Sequence, residues 1–458
     1  MPGKRELLLA YYGDDLTGST DALEFLSRAG LRSALFLEPP APGTLARYPG
    51  LQAVGVAGLT RSLAPAAMEA ELRPAFMALR GLGARHVHYK VCSTFDSSPR
   101  IGSIGRAIDV GAEVFGGPFV PLLVGAPALG RHCVFGNLFA RLGIGSAGEI
   151  HRLDRHPSMS RHPVTPANEA DLRRHLARQT SRRIGLFDIL KVGLPEPEAR
   201  AALDTIVAGG AEIVLFDVIY ARQLALLGGL IDGFAGRGKP LFSVGSSGVE
   251  MALGARWTEE GRLRPARQWA APGRADPLLV VSGSCSPVTA GQIAWASRNG
   301  FVVIRLDVAA LPGKAGRRRG GRGSVPDSAA RTAAKAVAHL REGRNVVVCT
   351  CQGGVDPSSP GFKAAPGAVV GGALGGLVRL VLERVRVRRL LFAGGDSSSY
   401  AVRALGLEAV EMLAPLTPGA PLCRAHAPGS PADGLEANFK GGQVGAEDYF
   451  GAVVRGRL

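Results

Sequence analysis

Short apolar runs alternate with longer amphipathic stretches along most of this chain of 458 residues. The short runs predict buried strands, and the stretches between them carry apolar residues at helical spacing. This alternation is typical of an α/β fold, and we predict two domains, each a mostly parallel sheet covered by helices. The predicted strands of the first half are 7–10, 32–37, 53–57, 86–91, 122–124, 184–188, 213–217 and 240–244.

The alternation breaks at residues 257–276, which are rich in Arg, Pro, Gly and Ala and show no clear periodicity. A break of this kind is typical of a domain boundary. We therefore predict an N-terminal domain at 5–255, a linker at 256–276 and a C-terminal domain at 277–455. The predicted strands of the second domain are 277–282, 302–307, 345–349 and 389–393.

Two adjacent carboxylates, Asp14 and Asp15, follow the first predicted strand. A turn containing Gly18 comes next, and then a predicted helix at 21–29. Ligands of open α/β sheets bind at the carboxyl ends of the strands. Two carboxylates there are costly unless they meet cations, hydrogen-bond donors or a ligand. The alternative is a helix N-cap, for which one Asp would suffice, so the pair is a candidate site.

A second polar group follows the predicted strand 86–91. It contains cations and hydroxyls suited to a carboxylate and to sugar hydroxyls, namely Lys90, Ser93, Thr94 and Arg100. Arg131, just after a further strand, is a third candidate. The alternative is a loop with ordinary helix caps, because Ser, Thr and Asp often cap helices.

Three glycine-rich turns lie in the second half, two of them directly after predicted strands. Each one alone is a common structural turn, but together they predict a pocket for an anion or a nucleotide. There is no P-loop sequence and no convincing dinucleotide fingerprint. The candidate residues are Ser282, Ser284, Gly394, Gly395, Asp396, Ser397, Lys440, Gly441 and Gly442.

The net charge of +16 raises the question of nucleic-acid binding. The dense basic cluster, however, lies in a Gly-rich stretch without aromatic residues, which predicts a solvated loop rather than a surface for stacking bases. Positive charge also suits anionic substrates. The cluster consists of Lys314, Arg317, Arg318, Arg319 and Arg322.

The remaining composition points to a cytoplasmic protein. No apolar run approaches the ~20 residues of a membrane span. The N-terminus lacks a small-residue cleavage site, so we expect no signal peptide. The six cysteines are scattered, which fits a reducing compartment. We expect no dedicated metal site, no membrane contact and no nucleic-acid partner.

Taken in order, these motifs resemble those of the four-carbon acid sugar kinases. The resemblance covers nearly the whole chain, and the order of the motifs is more specific than any one of them. It implies an N-terminal sugar-acid-binding domain and a C-terminal nucleotide-binding domain. The implied reaction is the ATP-dependent phosphorylation of a hydroxyl on a small sugar acid, with Mg²⁺. The matching stretches are GDDLTGSTD at 13–21, YKVCST at 89–94, GRHCVFG at 130–136, HPVTP at 162–166, GSSGVE at 245–250, SGSCSPVT at 282–289, GGDSSS at 394–399 and FKGGQVG at 439–445.

The resemblance also suggests roles for single residues. Phosphoryl transfer needs a group that takes the proton of the attacking hydroxyl, and cations that neutralise the phosphates. We expect Asp15 to be this base and Asp14 to hold substrate hydroxyls, and the reverse order stays open. Asp396 is expected at the nucleotide ribose or in the shell of Mg²⁺.

One segment departs from the family pattern, which usually has Asp-Ser-Thr-Leu-Arg-Gly after this strand. Here Cys92 stands at the Asp position, and a longer segment, 95–100, replaces Leu-Arg-Gly. We therefore expect a 3-oxo acid of the 3-oxo-tetronate or branched 3-oxo-isoapionate type, with Asp96 supplying a carboxylate from a new position. The alternative is a sugar-acid-binding regulator without catalysis, which would need no ATP. The sequence leaves the exact substrate and a homodimer open.

Overall fold

The computed structural model describes residues 6–144, 147–162, 164–236, 239–265, 268–311, 325–351 and 366–457. The basic cluster at 314–322 and the first five residues lie outside this part of the chain. The chain divides into two compact units. Within the described residues, the first unit comprises 6–142 and 147–265, and the second comprises 143–144 and 268–457.

The first unit is built on a parallel sheet in the order β2-β3-β1-β4-β11-β5-β10-β9. A separate antiparallel sheet in the order β6-β7-β8 follows β5 in the chain. The strands are β1 (Leu9–Gly13), β2 (Ser33–Phe36), β3 (Ala53–Ala57), β4 (His86–Lys90), β5 (Val120–Leu123), β6 (Arg131–Val134), β7 (Asn137–Arg141), β8 (Ile150–Arg152), β9 (Ile184–Phe187), β10 (Ile213–Phe216) and β11 (Leu241–Gly245).

Helices connect these parallel strands, as crossovers between parallel neighbours require. Apolar side chains of the sheet and of the helices form a continuous buried core that includes Tyr12, Phe76, Tyr89 and Phe242. The helices are α1 (Leu16–Arg28), α2 (Pro42–Leu45), α3 (Pro65–Gly81), α4 (Ile104–Phe115), α5 (Leu172–Leu176), α6 (Ile189–Val192), α7 (Glu196–Ala208), α8 (Leu224–Asp232) and α9 (Gly248–Glu259).

The second unit has strands in the order β13-β14-β12-β15-β18-β17-β16. The first five of these are parallel, whereas β17 is antiparallel to both β18 and β16. The strands are β12 (Leu278–Ser282), β13 (Val302–Arg305), β14 (Val346–Cys349), β15 (Arg389–Ala393), β16 (Ala409–Thr417), β17 (Ala420–His426) and β18 (Glu436–Lys440). The helices are α10 (Pro287–Arg298), α11 (Asp327–Arg341), α12 (Gly367–Leu382), α13 (Asp396–Leu405) and α14 (Tyr449–Arg455).

The predicted α/β fold is confirmed, and every strand that the apolar runs predict is present, with boundary shifts. Two boundaries matter for the site. Strand β1 continues to Gly13, and helix α1 begins at Leu16 rather than at residue 21, so Asp21 lies inside this helix. Helix α9 extends to Glu259 with Trp257 fully buried, so the first residues of the expected linker belong to the first unit.

The strands that take part in antiparallel pairs, β6–β8 and β16–β18, are missing from the sequence prediction. These strands contain polar residues among the apolar ones, so they lack the continuous apolar runs by which buried parallel strands are recognised. In the described part of the chain, no helix combines the length and the apolar character that crossing a membrane requires.

Candidate functional site

The acidic pair lies at the carboxyl end of β1, which pairs with β3 on one side and β4 on the other. Asp15 is the N-cap of α1, as the capping alternative required. Its carboxylate accepts hydrogen bonds from the Gly18 backbone N–H at 2.6 Å and from the Thr17 hydroxyl at 3.0 Å. Asp14 stands outside the helix and makes neither contact. The carboxylate of Asp15 therefore caps the helix, whereas that of Asp14 does not.

Arg61 joins the two carboxylates, and the sequence analysis missed it. Its Nε and Nη2 donate to the two oxygens of Asp14 at 3.1 and 2.7 Å, and its Nη1 donates to Asp15 Oδ2 at 2.6 Å. Burial raises the pKa of Asp14, and the charge of Arg61 opposes that rise. Arg61 follows β3, the strand next to β1, so a polar residue after a neighbouring strand was the available signal.

Lys90 ends β4 and is almost completely buried beside the acidic pair. Its Nζ donates to the Val91 carbonyl at 3.0 Å and lies 3.1 Å from Asp21 Oδ2. Burial lowers the pKa of Lys90, but the carboxylate of Asp21, together with Glu250 and Asp14 when these are ionised, outweighs burial, and the pKa is raised. Lys90 therefore keeps its positive charge.

Gly18 allows this close approach. A Cβ atom at Gly18 would lie 2.9 Å from Asp15 Oδ1 and 3.5 Å from Lys90 Nζ. The first distance is too short for a real Cβ, so a larger residue would displace the capping carboxylate.

Arg131 is a buried cation with no ion-pair partner in the described part of the chain, and only 4% of it is exposed. Its Nε donates to Ser93 Oγ at 3.1 Å and its Nη1 to the Leu129 carbonyl at 2.6 Å. Burial lowers the pKa of Arg131, while the charges of Cys92, Asp21 and Asp96 oppose this shift. A buried guanidinium without a carboxylate is an unusual and costly arrangement that an anionic ligand would relieve.

The segment that departs from the family pattern lies partly in this site and partly outside it. Thr94 Oγ1 is 2.9 Å from Cys92 Sγ, and Thr94 and Asp96 line a small cavity together with His175. The Oδ1 atom of Asp96 is buried without a hydrogen-bond partner. Arg100 lies on an exposed turn, where its backbone N–H donates to Ser98 Oγ at 3.3 Å.

In the second unit, the three glycine-rich turns lie together at the ends of β12, β15 and β18. The Gly283 N–H donates to the Ala393 carbonyl at 3.1 Å, and the Gly394 N–H donates to the Lys440 carbonyl at 3.0 Å. The Ser286 hydroxyl donates to the Gly442 carbonyl at 2.6 Å. These bonds hold the three turns at one edge of the sheet, where several backbone N–H groups and helix N-termini meet.

Small residues are required where the turns touch. Gly394 has φ +130°, and a Cβ on it would lie 2.6 Å from Ser397 Oγ and 3.3 Å from the Ser284 nitrogen. Gly395 is the N-cap of α13, and Asp396 and Ser397 are its first residues. Gly441 accepts the Val444 N–H in the third turn, and Ser282 is the buried last residue of β12.

Lys440 is the buried lysine of this second group. Its Nζ donates to Thr289 Oγ1 at 3.0 Å, and no ion pair involves it in the described residues. Burial lowers its pKa to about 7. An arriving phosphate would supply the missing negative charge.

Two further findings concern the pairing of cysteines and the side chains that could bind a metal ion. A disulfide joins Cys285 to Cys351, which the scattered spacing of the cysteines had not indicated. Each follows one of the neighbouring strands β12 and β14. Over the ranges that the structure describes, no three His, Cys, Asp or Glu side chains gather as a metal site.

Comparison with known proteins assigns a family to both units. A model of a sugar-binding N-terminal domain matches residues 9–253, and a model of a nucleotide-binding C-terminal domain matches residues 279–450. The chain is 45% identical to a 3-oxo-isoapionate kinase of Paraburkholderia graminis, over 99% of this chain and 95% of the relative. It is 32% identical to a 3-oxo-tetronate kinase of Methylobacterium radiotolerans, over 98% and 99% of the two chains.

Solved structures share the fold. One from Salmonella typhimurium, described as a putative tRNA synthase, has a TM-score of 0.73 at 24% identity and covers 98% of both chains. A Haemophilus influenzae protein has a TM-score of 0.67 at 22% identity, over 97% of this chain and 98% of its own. With both domain models in order and a relative matched over 95% of its length, the chain belongs to the family of four-carbon acid sugar kinases.

Proposed function

We propose that this protein is an ATP-dependent kinase that phosphorylates a hydroxyl of a small 3-oxo sugar acid, of the 3-oxo-tetronate or branched 3-oxo-isoapionate type. The observation that carries the proposal is the buried guanidinium of Arg131, which has no ion-pair partner among the described residues. A second buried cation, Lys90, belongs to the same unit, and the charge of its partner Asp21 acts on both groups. The relative at 45% identity, a 3-oxo-isoapionate kinase, favours the branched acid.

Arg131 is the proposed anchor for the carboxylate of the substrate. Its guanidinium is already oriented by Ser93 and by the Leu129 carbonyl, so little side-chain freedom is lost on binding. Guanidinium groups bind carboxylates through paired, charge-assisted hydrogen bonds. Lys90 and the hydroxyl of Thr94 are the proposed contacts for the oxygens of the sugar chain.

Asp14 is the better candidate for the base, which reverses the order expected from the sequence. The oxygens of Asp15 accept hydrogen bonds from the helix cap and from Arg61, whereas the Asp14 oxygens accept only from Arg61 among the described residues. The raised pKa of Asp14 also makes it the stronger proton acceptor. In the proposed step, Asp14 takes the hydroxyl proton while the new O–P bond forms and the bond from the γ-phosphorus to ADP breaks.

The nucleotide is assigned to the three turns of the second unit. Their N–H groups and the N-terminus of α13 suit phosphates, and Lys440 adds a cation. Mg²⁺ usually binds through substrate phosphates and one or two carboxylates. Because the described residues offer no three-ligand group, Mg²⁺ would arrive on ATP, with Asp396 as the nearby carboxylate. The proposed use of ATP favours a cytoplasmic location for this protein.

A coupled ADP-release assay tests the proposal. The substrates are D-threonate, D-erythronate, 3-oxo-tetronates and branched 3-oxo acids, and we expect the 3-oxo acids to be the better ones. Arg131→Gln should raise the KM of the sugar acid at least ~10-fold, because a hydrogen-bonded charge contact is lost. It should leave the KM of ATP unchanged.

Arg178→Lys, a conservative change at an exposed arginine, is the matched control and should behave like the native protein. No ADP release with any of these acids, or an Arg131→Gln protein with native KM values, would count against the proposal.

A further inference from the structure

A second buried carboxyl group, that of Glu250, lies close to Lys90 and has no part in the proposed reaction. Glu250 is in the first turn of α9 and has no exposed surface. Among the residues that the structure describes, neither of its side-chain oxygens has a hydrogen-bond partner. An ionised carboxylate in such a place would be far from water and without donors, which is strongly unfavourable.

His88 is the nearest polar neighbour of Glu250. It lies two residues before Lys90 on β4, so both side chains are on the same face of that strand. The Nε2 atom of His88 is 3.5 Å from Glu250 Oε1, and within the described ranges it has no hydrogen-bond partner.

The second ring nitrogen of His88 fixes its tautomer. Nδ1 lies 3.2 Å from both the carbonyl oxygen and the hydroxyl oxygen of Ser243. The hydroxyl can donate or accept, but the carbonyl oxygen can only accept and would repel a bare nitrogen, so we assign the hydrogen to Nδ1. Burial lowers the pKa of His88 to about 3, so the ring is neutral and Nε2 is a bare acceptor. The missing donor must come from Glu250, and only a protonated carboxyl group can provide one.

We propose that Glu250 and His88 share one buried proton, and that this proton prevents Glu250 from compensating the positive charge that Lys90 offers to an anionic substrate. With the proton in place, the group formed by Lys90, Asp21, Glu250 and His88 contains one cation and one anion. Loss of the proton adds a second anion close to Lys90, and the group then repels a carboxylate. Glu250 acts through Lys90 and is a positioning residue. The inference rests on the proposed function, because it assumes that a sugar acid binds beside Lys90.

The charged surroundings support this assignment. Lys90 and His88 face Glu250 from β4, and Asp21 faces it from α1. The Ser247 hydroxyl, at the N-cap of α9, donates to Asp21 Oδ2 at 2.7 Å and so holds the acidic partner of Lys90 in place. Burial raises the pKa of Glu250 to about 8, against the opposing charge of Lys90. The shared proton is therefore retained at neutral pH and lost at moderately alkaline pH.

The kinetic test is the KM of the sugar acid at saturating ATP, measured between about pH 7 and about pH 9. We expect the native KM to rise about tenfold, because at the upper pH only about one molecule in eleven keeps a proton whose pKa is about 8. Glu250→Gln keeps the shape and a hydrogen-bond donor but cannot ionise, so its KM should change by less than about twofold. A kcat that stays nearly constant in both proteins would separate this effect from general alkaline inactivation.

Glu259→Gln is the matched control, since it makes the same change at the exposed end of the same helix. It should keep the native rise in KM. A native KM that is flat up to about pH 9, or a rise that persists in Glu250→Gln, would overturn the role assigned to Glu250.

Infrared difference spectroscopy tests the proton itself without any substrate. The native protein should show the C=O stretch of a protonated carboxylic acid at about pH 7, and this band should vanish on titration to about pH 9. The band should be missing in Glu250→Gln and present in Glu259→Gln. An ionised Glu250 at about pH 7 would overturn the shared proton, whether or not any sugar acid is phosphorylated. A lack of turnover alongside a normal band would count against the kinase proposal instead.

Discussion

At the scale of single residues, the neighbouring aspartates Asp14 and Asp15 differ because helix α1 begins directly after them. Asp15 is the N-cap of this helix, and Asp14 lies one residue before the cap. Asp15 caps α1 and is held by Gly18, Thr17 and Arg61. Asp14 precedes the cap, and in the described part of the chain its carboxylate accepts hydrogen bonds from Arg61 alone. Each carboxylate oxygen can accept two hydrogen bonds, so Asp14 keeps capacity for a substrate hydroxyl.

The contrast between the two aspartates can be measured. Asp14→Asn should lower kcat at least ~100-fold, because the amide cannot take the hydroxyl proton. Asp15→Asn preserves a good N-cap and should lower kcat less. Steady-state kinetics of both variants, with circular dichroism to verify folding, give the comparison. A larger loss in Asp15→Asn would restore the order first expected from the sequence.

Lys440 makes the stability of the protein depend on pH. Burial lowers its pKa from 10.5 to about 7, so between these values the unfolded chain binds the proton more tightly than the native protein does. The contribution of Lys440 to the free energy of unfolding should therefore rise as the pH rises across this range. Denaturant unfolding at about pH 7 and about pH 9 should show this rise, and Lys440→Met should show less of it. Equal slopes in both proteins would contradict the assignment.

At the scale of elements, the turns between strands and helices carry most of the proposed chemistry. Gly394→Ala tests one of them. The substitution puts a Cβ 2.6 Å from Ser397 Oγ at a φ of +130°, so the turn must move, and the KM of ATP should rise at least ~10-fold.

Gly291→Ala is the control for Gly394→Ala. It lies in α10, where a Cβ would meet nothing within 4 Å, and it should leave the KM of ATP unchanged. If both alanine variants bind ATP like the native protein, the turn after β15 does not contact the nucleotide.

The sequence predicts the strands and helices themselves better than it predicts which of them lie next to one another in the fold. Buried parallel strands are continuous apolar runs, so β3 and β15 have the boundaries that the sequence predicts. Arg61 was missed because a single sequence does not say that β3 lies beside β1. Glu250 was hidden for the same reason, since its contact with His88 joins residues far apart in the chain.

At the scale of the whole molecule, the candidate site residues are divided between two α/β units. The first unit holds buried cations next to an acidic pair, and the second holds small residues and one buried lysine. The domain models match the two halves in this same order. The family resemblance thus rests on motifs whose side chains lie together within each unit.

The net positive charge has a whole-molecule consequence. With a formal charge of +16, the protein should attract its anionic substrates over distances that salt screens. Raising the salt concentration from about 20 mM to about 500 mM should increase the KM of the sugar acid several-fold, with kcat nearly constant. A KM that does not respond to salt would mean that the positive charges lie too far from the site to affect the binding of the sugar acid.

The most direct measurement of the central claim is ³¹P NMR of a reaction that contains the protein, Mg²⁺-ATP and a branched 3-oxo sugar acid. The account predicts a new phosphomonoester signal on the acid, formed in equal amount with ADP and missing with Arg131→Gln at low acid concentration. ADP formed together with free inorganic phosphate, or no ADP at all with any 3-oxo acid or tetronate, would contradict the assignment of this protein as a sugar-acid kinase.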